Sequence, residues 1–174
     1  MDPLPRALAE IGLHAAAGFG FALAGGYAVQ AHQILSRPSE DVDLFTAWER
    51  RDDFTAAVDA YRTHGFLVEV TQQFVTFARL SVTGLGPPSR ATKVEMAANW
   101  RAQPPVIMDI GPVLHADDVA AGKMSALYSR AEPRDLLDID AAIMSGQYTR
   151  ERLCELAEQA DADSTEPSLP TCSR

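Results

Sequence analysis

Apolar residues recur at three- and four-residue spacing in some stretches and in short continuous or alternating runs in others, so helices and strands can be laid out along the chain. Pro3 or Pro5 opens a first helix, with Leu4, Leu8, Ile11 and Ala15 on one side and Gly18 and Gly20 stopping it. Phe19 to Ala24 reads as a buried strand ending at the pair Gly25–Gly26. Tyr27 to Leu35 turns helical, until Ser36, Arg37, Pro38, Ser39 and Glu40 break the pattern. Asp41 to Phe45 is the next strand. Thr46 with Glu49 has capping-box spacing and would start a helix carrying Phe54, Val58 and Tyr61, closed by His64 and Gly65.

Phe66 to Val70 and Phe74 to Leu80 form two more strands, turning at Thr71, Gln72 and Gln73. An irregular loop is expected over Gly84, Gly86, Pro87 and Pro88, then a strand over Thr92 to Ala97 and a shorter one over Val106 to Ile110. Beyond Gly111 the texture is helical. One helix starts near Asp117 or Asp118 and buries Val119, Ala120, Met124 and Leu127. A second starts at Pro133, with Leu136, Ile139 and Ile143 inward. A third is capped by Thr149 and carries Leu153, Leu156, Ala157 and Ala160. The expected class is α/β (α+β): a mixed sheet with flanking helices over 1–112, a helical subdomain over 113–160 packed on it, and a flexible tail over 161–174.

Composition narrows the function classes. At 174 residues, 47% hydrophobic and 22% charged, the chain can bury a proper core and is no disordered segment. Cys154 and Cys172 match no disulfide framework and no metal-ligand spacing. With neither a secretion signal nor a membrane-length apolar run, a cytoplasmic protein without membrane partners is expected. Fifteen Lys and Arg against 24 Asp and Glu give a net charge of −9, which argues against broad nonspecific nucleic-acid binding but leaves room for a local basic pocket.

The chemistry concentrates in Gly25 to Phe45. A glycine pair between strand and helix lets phosphate oxygens approach backbone N–H groups. Asp41 and Asp43, two apart on a strand, share one face while Val42 and Leu44 pack behind, and Phe45 falls on the carboxylate face. Two such charges repel unless a cation joins them; magnesium, or manganese in its place, takes oxygen ligands of this kind together with substrate phosphates. A water-facing strand end is the alternative reading. Glu95 is the favoured third carboxylate, with Asp109 as competitor. Lys123 and Arg130, seven apart on the first C-terminal helix, could reach a triphosphate, and Arg37 and Ser39 could contact phosphate or base. Arg134 is a further candidate for nucleotide phosphate and is spaced for an i,i+4 pair with Asp138, beside Asp135, the two acids serving as supports. Arg90, Lys93 and Arg101 make the segment around Glu95 modestly basic and a candidate acceptor path.

GGYAVQAHQILSRPSEDVDLF, a later lone strand carboxylate and GKMSALYSRAEPRDLLDID together resemble the AbiEii-like nucleotidyltransferase toxins of the DNA polymerase beta-type superfamily, over about Phe19 to Ile143. The resemblance implies a minimal nucleotidyltransferase fold and transfer of NMP from an NTP with release of pyrophosphate. It also implies a toxin role beside a cognate antitoxin, with a tRNA end as acceptor. It assigns Gly25 and Gly26 to the glycine motif, Asp41, Asp43 and Glu95 to the metal, and Lys123 to nucleotide phosphate. The chain departs from that pattern at Ser36, Tyr27 and Glu95, where relatives more often carry histidine, a small hydroxyl residue and aspartate. A protein hydroxyl, a small molecule such as an aminoglycoside, or a catalytically silent binding role are the other expectations.

Overall fold

The computed structural model describes residues 1–37, 39–48, 54–84 and 90–162. Among these, seven strands form one mixed sheet and six helices flank it. The strands are β1 (Ala22–Leu23), β2 (Asp41–Ala47), β3 (Phe66–Phe74), β4 (Phe77–Gly84), β5 (Ala91–Asn99), β6 (Val106–Met108) and β7 (Gly111–Val113). The helices are α1 (Pro3–Ala15), α2 (Gly25–Ala31), α3 (Thr55–Thr63), α4 (Ala116–Ser129), α5 (Pro133–Met144) and α6 (Arg150–Ala162). The sheet order is β3-β4-β5-β2-β1-β7-β6; β2 runs parallel to β5 and β1 parallel to β7, the other pairs being antiparallel.

The centre of the sheet is the best buried part. Val42, Leu44, Val94, Met96, Leu80 and Val82 point to one side as the alternating pattern requires, and none is more than 0% exposed. Leu8, Leu13, Val58 and Tyr61 from α1 and α3 belong to the same core, and Tyr61 donates its buried hydroxyl proton to the Leu8 carbonyl at 2.8 Å. The opposite face of β2 and β5 is left for chemistry.

Several expected boundaries move. Thr46 continues β2 instead of capping a helix: its hydroxyl donates to the Phe19 carbonyl at 2.5 Å, which ties the strand to the segment before β1. Glu49, its proposed capping partner, lies outside the described residues, and α3 follows Phe54. The helix after the glycine pair starts at Gly25 itself, and β1 is only two residues long, because Ala24 already leaves the ladder. The β3–β4 hairpin turns at Val75 and Thr76; Thr71 to Gln73 remain in β3, where a register shift between Val70 and Gln72 absorbs one residue. Gly84 belongs to β4, and residues 85–89 of the expected loop lie outside the description. Val106 to Ile110 is no single strand, since the chain reverses at Asp109 and Ile110 to form the β6–β7 hairpin.

In the C-terminal part, α5 departs most from the pattern. Its inward face is Asp135, Asp138, Ile139 and Ala142, whereas Leu136 is 58% exposed. Two carboxylates take the inner positions because basic groups from three directions neutralise them there. α6 reaches Ala162, so the first two residues of the expected tail are helical and residues 163–174 lie outside the description. Asp117 fastens α4 to α6 by accepting from Tyr148 Oη and Arg152, each at 2.9 Å. No described helix is long and apolar enough to cross a membrane.

Candidate active site

Strand register brings the acids together. β2 and β5 pair with Asp41 opposite Lys93 and Asp43 opposite Glu95, so alternation places Asp41, Asp43 and Glu95 on one face. The glycine turn is pinned beside them: the Ala24 N–H donates to the Asp43 carbonyl at 2.8 Å. Gly25 has φ +58°, and a Cβ there would stand 1.7 Å from Asp43 Oδ2. At Gly26 a Cβ would meet Ser39 Oγ at 2.7 Å. Both glycines are therefore required by side chains of the same site. Tyr27, instead of reaching a phosphate, donates its hydroxyl proton to the Ser39 carbonyl at 2.9 Å, and Ser39 donates to the Asp41 carbonyl at 3.2 Å.

Asp109 is not part of this group. It sits in the β6–β7 turn and lines a separate cavity of about 800 Å³ between α1 and that hairpin, together with Arg101. Arg101 donates to the Gly20 carbonyl at 2.9 Å and lines this separate cavity. That cavity is mainly apolar and holds none of the three gathered acids.

Cations surround the carboxylates. Lys93 Nζ lies 2.7 Å from Asp41 Oδ2 and 3.3 Å from Glu95 Oε1, Arg79 Nε lies 2.8 Å from Glu95 Oε1, and Arg134 lies 3.6 Å from Asp41. Burial works against the charge on Lys93, but the Asp41 hydrogen bond and Glu95 outweigh it and hold its proton more tightly than usual. Asp43 behaves oppositely. Burial, then the charges of Glu95 and Asp41, push its carboxyl up to about 6 despite Lys123 and Lys93.

The donor set consists of hard oxygens without Cys or His, which suits magnesium or manganese and not zinc. In this arrangement no three acidic, His or Cys side chains among the described residues are gathered tightly enough to cage an ion. The Lys93 ammonium bridges two of the three carboxylates. Three carboxylate side chains on one face are oxygen donors of the kind that would suit a divalent cation.

The helices supply a second layer. Asp138, 2% exposed, accepts from Arg37 Nε at 2.9 Å and from its terminal nitrogen at 2.8 Å, and lies 2.8 Å from Lys123 Nζ. Asp135, 0% exposed, accepts from Arg130 at 2.8 and 3.0 Å and lies 3.8 Å from Lys123. Desolvation opposes ionisation of Asp135, yet the Arg130 hydrogen bonds and charge win, holding it below the usual carboxylate range. The expected Arg134–Asp138 pair does not form. Arg134 turns to Glu132 at 2.7 Å and to Asp41, because Asp138 faces inward to Arg37 and Lys123.

Arg37, Ser39, Lys123, Arg130 and Arg134 thus share a cavity of about 700 Å³ with Asp41, Asp43 and Glu95. Sequence reasoning left out Arg79 and gave Lys93 no role at the acids. Lys93 could have been found, because it lies two residues before Glu95 on the same strand face; Arg79 could not, since its place opposite Glu95 follows from the β4–β5 register.

A mixed sheet with an Asp-x-Asp strand, an in-register acid on the next strand and a glycine turn against them is the arrangement of nucleotidyltransferases, and solved structures agree on the fold. JHP933 from Helicobacter pylori is 14% identical with TM-score 0.67, over 94% of this chain and 76% of that one. The antibiotic-resistance factor ANT(2'')-Ia is 15% identical with TM-score 0.61, over 91% and 92%. MenT4, a nucleotidyltransferase toxin from Mycobacterium tuberculosis H37Rv, is 16% identical with TM-score 0.61, over 97% and 68%. No curated protein matches in sequence. The family model of the nucleotidyl transferase AbiEii toxin, of type IV toxin–antitoxin systems, matches residues 6–173; the chain belongs to that family and is a nucleotidyltransferase.

Proposed function

We propose that this protein transfers a nucleoside monophosphate from an NTP to an acceptor hydroxyl and releases pyrophosphate, using a divalent metal ion, magnesium or manganese. The observation that carries this reading is the in-register placement of Asp43 and Glu95 beside Asp41, against a turn where Asp43 leaves no room for a Cβ at Gly25. Asp41, Asp43 and Glu95 would hold the metal, which when bound offsets charge on the reacting phosphate oxygens. Gly25 and Gly26 leave the backbone open to the outer phosphates. Lys123 and Arg37, aimed by Asp138, and Arg130, aimed by Asp135, supply positive charge along the triphosphate without reorganising at the moment of reaction.

The acceptor we favour is a tRNA end, with a cognate antitoxin as the protein that restrains the toxin, because the family is one of toxin–antitoxin pairs. The chain's charge of −9 sets the competing reading, in which a protein or a small molecule such as an aminoglycoside accepts the nucleotide. The likeness in fold to an antibiotic-resistance factor points the same way. One experiment separates these: incubation with each labelled NTP, magnesium and total cellular material, followed by fractionation into RNA, protein and small molecules. Label in the tRNA fraction that disappears when Asp41 and Asp43 are both replaced by Ala is the expected result. Absence of label from every fraction with all four NTPs would remove the transferase reading, and undiminished transfer by the double variant would remove the metal site.

A further inference from the structure

Past the acids, the face that carries them changes character. Continuing along β2 and β5, Phe45 pairs with Ala97 and Ala47 with Asn99, so Phe45 lies about 7 Å beyond Asp43 on the same face. Ala97 and Ala47 project only a methyl group and leave space over the strands. Trp48 and Trp100, at the ends of those strands, complete a third cavity of about 530 Å³ with Phe45 and Asn99. This cavity shares Asp43, Glu95, Lys123 and Arg130 with the charged one, so the two are lobes of one cleft joined at the acids. One lobe is lined by Arg37, Arg79, Lys93 and Arg134, the other by three aromatic rings.

The Trp100 side of the aromatic wall is held in place. Asp118, buried at the start of α4, accepts from the Ala102 and Gln103 N–H groups at 2.9 and 3.1 Å and so clamps the segment just after Trp100. Asn99 Oδ1 accepts the Trp100 N–H at 2.8 Å, which makes the Asn99 NH₂ the donor that a ligand edge would meet. An aromatic lobe with Asn99 at its edge, opening onto acids and cations, matches a nucleotide in its two halves: a flat base, and a phosphate chain that must lie on the charged side.

We infer that the cavity of Phe45, Trp48 and Trp100 is a nucleobase-stacking site that seats the base next to the reacting centre, with Asn99 at its edge. Every base has a π-face, so aromatic rings here bind through stacking and tolerate different bases. The base comes either from the incoming NTP or from the terminal nucleotide of the acceptor. This assignment rests on the transferase reading only for which nucleotide occupies the lobe.

Both tryptophans of the chain line this lobe, so intrinsic fluorescence reports on it directly. The full chain is titrated in magnesium buffer with each of the four NTPs, with tripolyphosphate and with a single-stranded RNA trinucleotide. Quenching by NTPs but not by tripolyphosphate is expected and identifies the donor base; quenching by the trinucleotide alone identifies the acceptor base. Trp48→Leu and Trp100→Leu each leave one reporter and should weaken binding of the quenching nucleotide roughly tenfold, with tripolyphosphate affinity, read by competition, unchanged. Unaltered tryptophan emission with every nucleotide overturns the assignment, and that measurement needs no variant. Transfer activity without quenching would remove the base site alone, whereas quenching without transfer would keep it and remove the catalytic reading.

Discussion

Gly25→Ala tests the proposed geometry most directly, because the structure specifies both its cost and the partner responsible. The new Cβ would fall 1.7 Å from Asp43 Oδ2 and 2.6 Å from its Cγ, and the backbone there has φ +58°. The left-handed conformation costs Ala about 1–2 kcal/mol. Moving the Asp43 carboxylate by over an ångström, against the rotamer and contacts it holds beside the turn, costs a further ~1–3 kcal/mol. The total of ~2–5 kcal/mol lies at or below the low end of the ~5–15 kcal/mol of a typical domain, so the variant should still fold, with reduced stability. Replacing Asp43 with Ala removes the carboxyl oxygens and leaves its Cβ at 3.0 Å, so in that background the same substitution should cost only the backbone part. A urea-denaturation cycle of the four proteins at neutral pH without metal should then show coupling of ~1–3 kcal/mol. Nucleotide transfer by Gly25→Ala should fall to background, since the displaced carboxylate is one of the three proposed metal ligands. Additivity within ~0.5 kcal/mol would refute the claim that Gly25 is required by Asp43.

Asp138→Ala should cost ~3–5 kcal/mol in thermal or urea unfolding, because it strips the partner from Lys123 and Arg37 at a site 2% exposed; a loss under ~1 kcal/mol would mean that the pairs add little. Lys93→Met removes the ammonium that bridges Asp41 and Glu95, so calorimetric titration with Mn²⁺ should show affinity roughly five- to tenfold higher, and the metal-free protein should melt earlier. Unchanged Mn²⁺ affinity would show that Lys93 does not compete for the cation position. Folding raises the Asp43 carboxyl from an ordinary value to about 6, so in the metal-free protein the native state binds the extra proton between about pH 4 and pH 6. Stability therefore falls as pH rises through that window and levels off above it, by an amount on the order of 3 kcal/mol at most. Comparing the wild-type pH profile with that of Asp43→Asn isolates this contribution, and identical slopes would exclude it.

Much of the site was legible because short-range periodicity carries it. Asp41, Asp43 and Phe45 share a face by alternation alone, and Gly25–Gly26 announced a turn that no larger residue fits. Glu95 over Asp109 was a matter of strand clarity, which the β2–β5 pairing supports. The resemblance to the family rested on the same residues, and the match over residues 6–173 agrees with it.

Local pattern determined that this chain has a strand-borne acidic pair behind a glycine turn and helices after Gly111, since each follows from residues within a few positions of one another. Tertiary structure alone decided which cation meets which acid. Arg37 and Asp138 are 101 residues apart, and Arg79 meets Glu95 only through the β4–β5 register. Asp135 and Asp138 lie on the inner face of α5 while Leu136 lies outside, against any hydrophobic reading of that helix. The reason is energetic. A buried carboxylate is tolerable only with partners, and those partners come from parts of the chain that no local window contains.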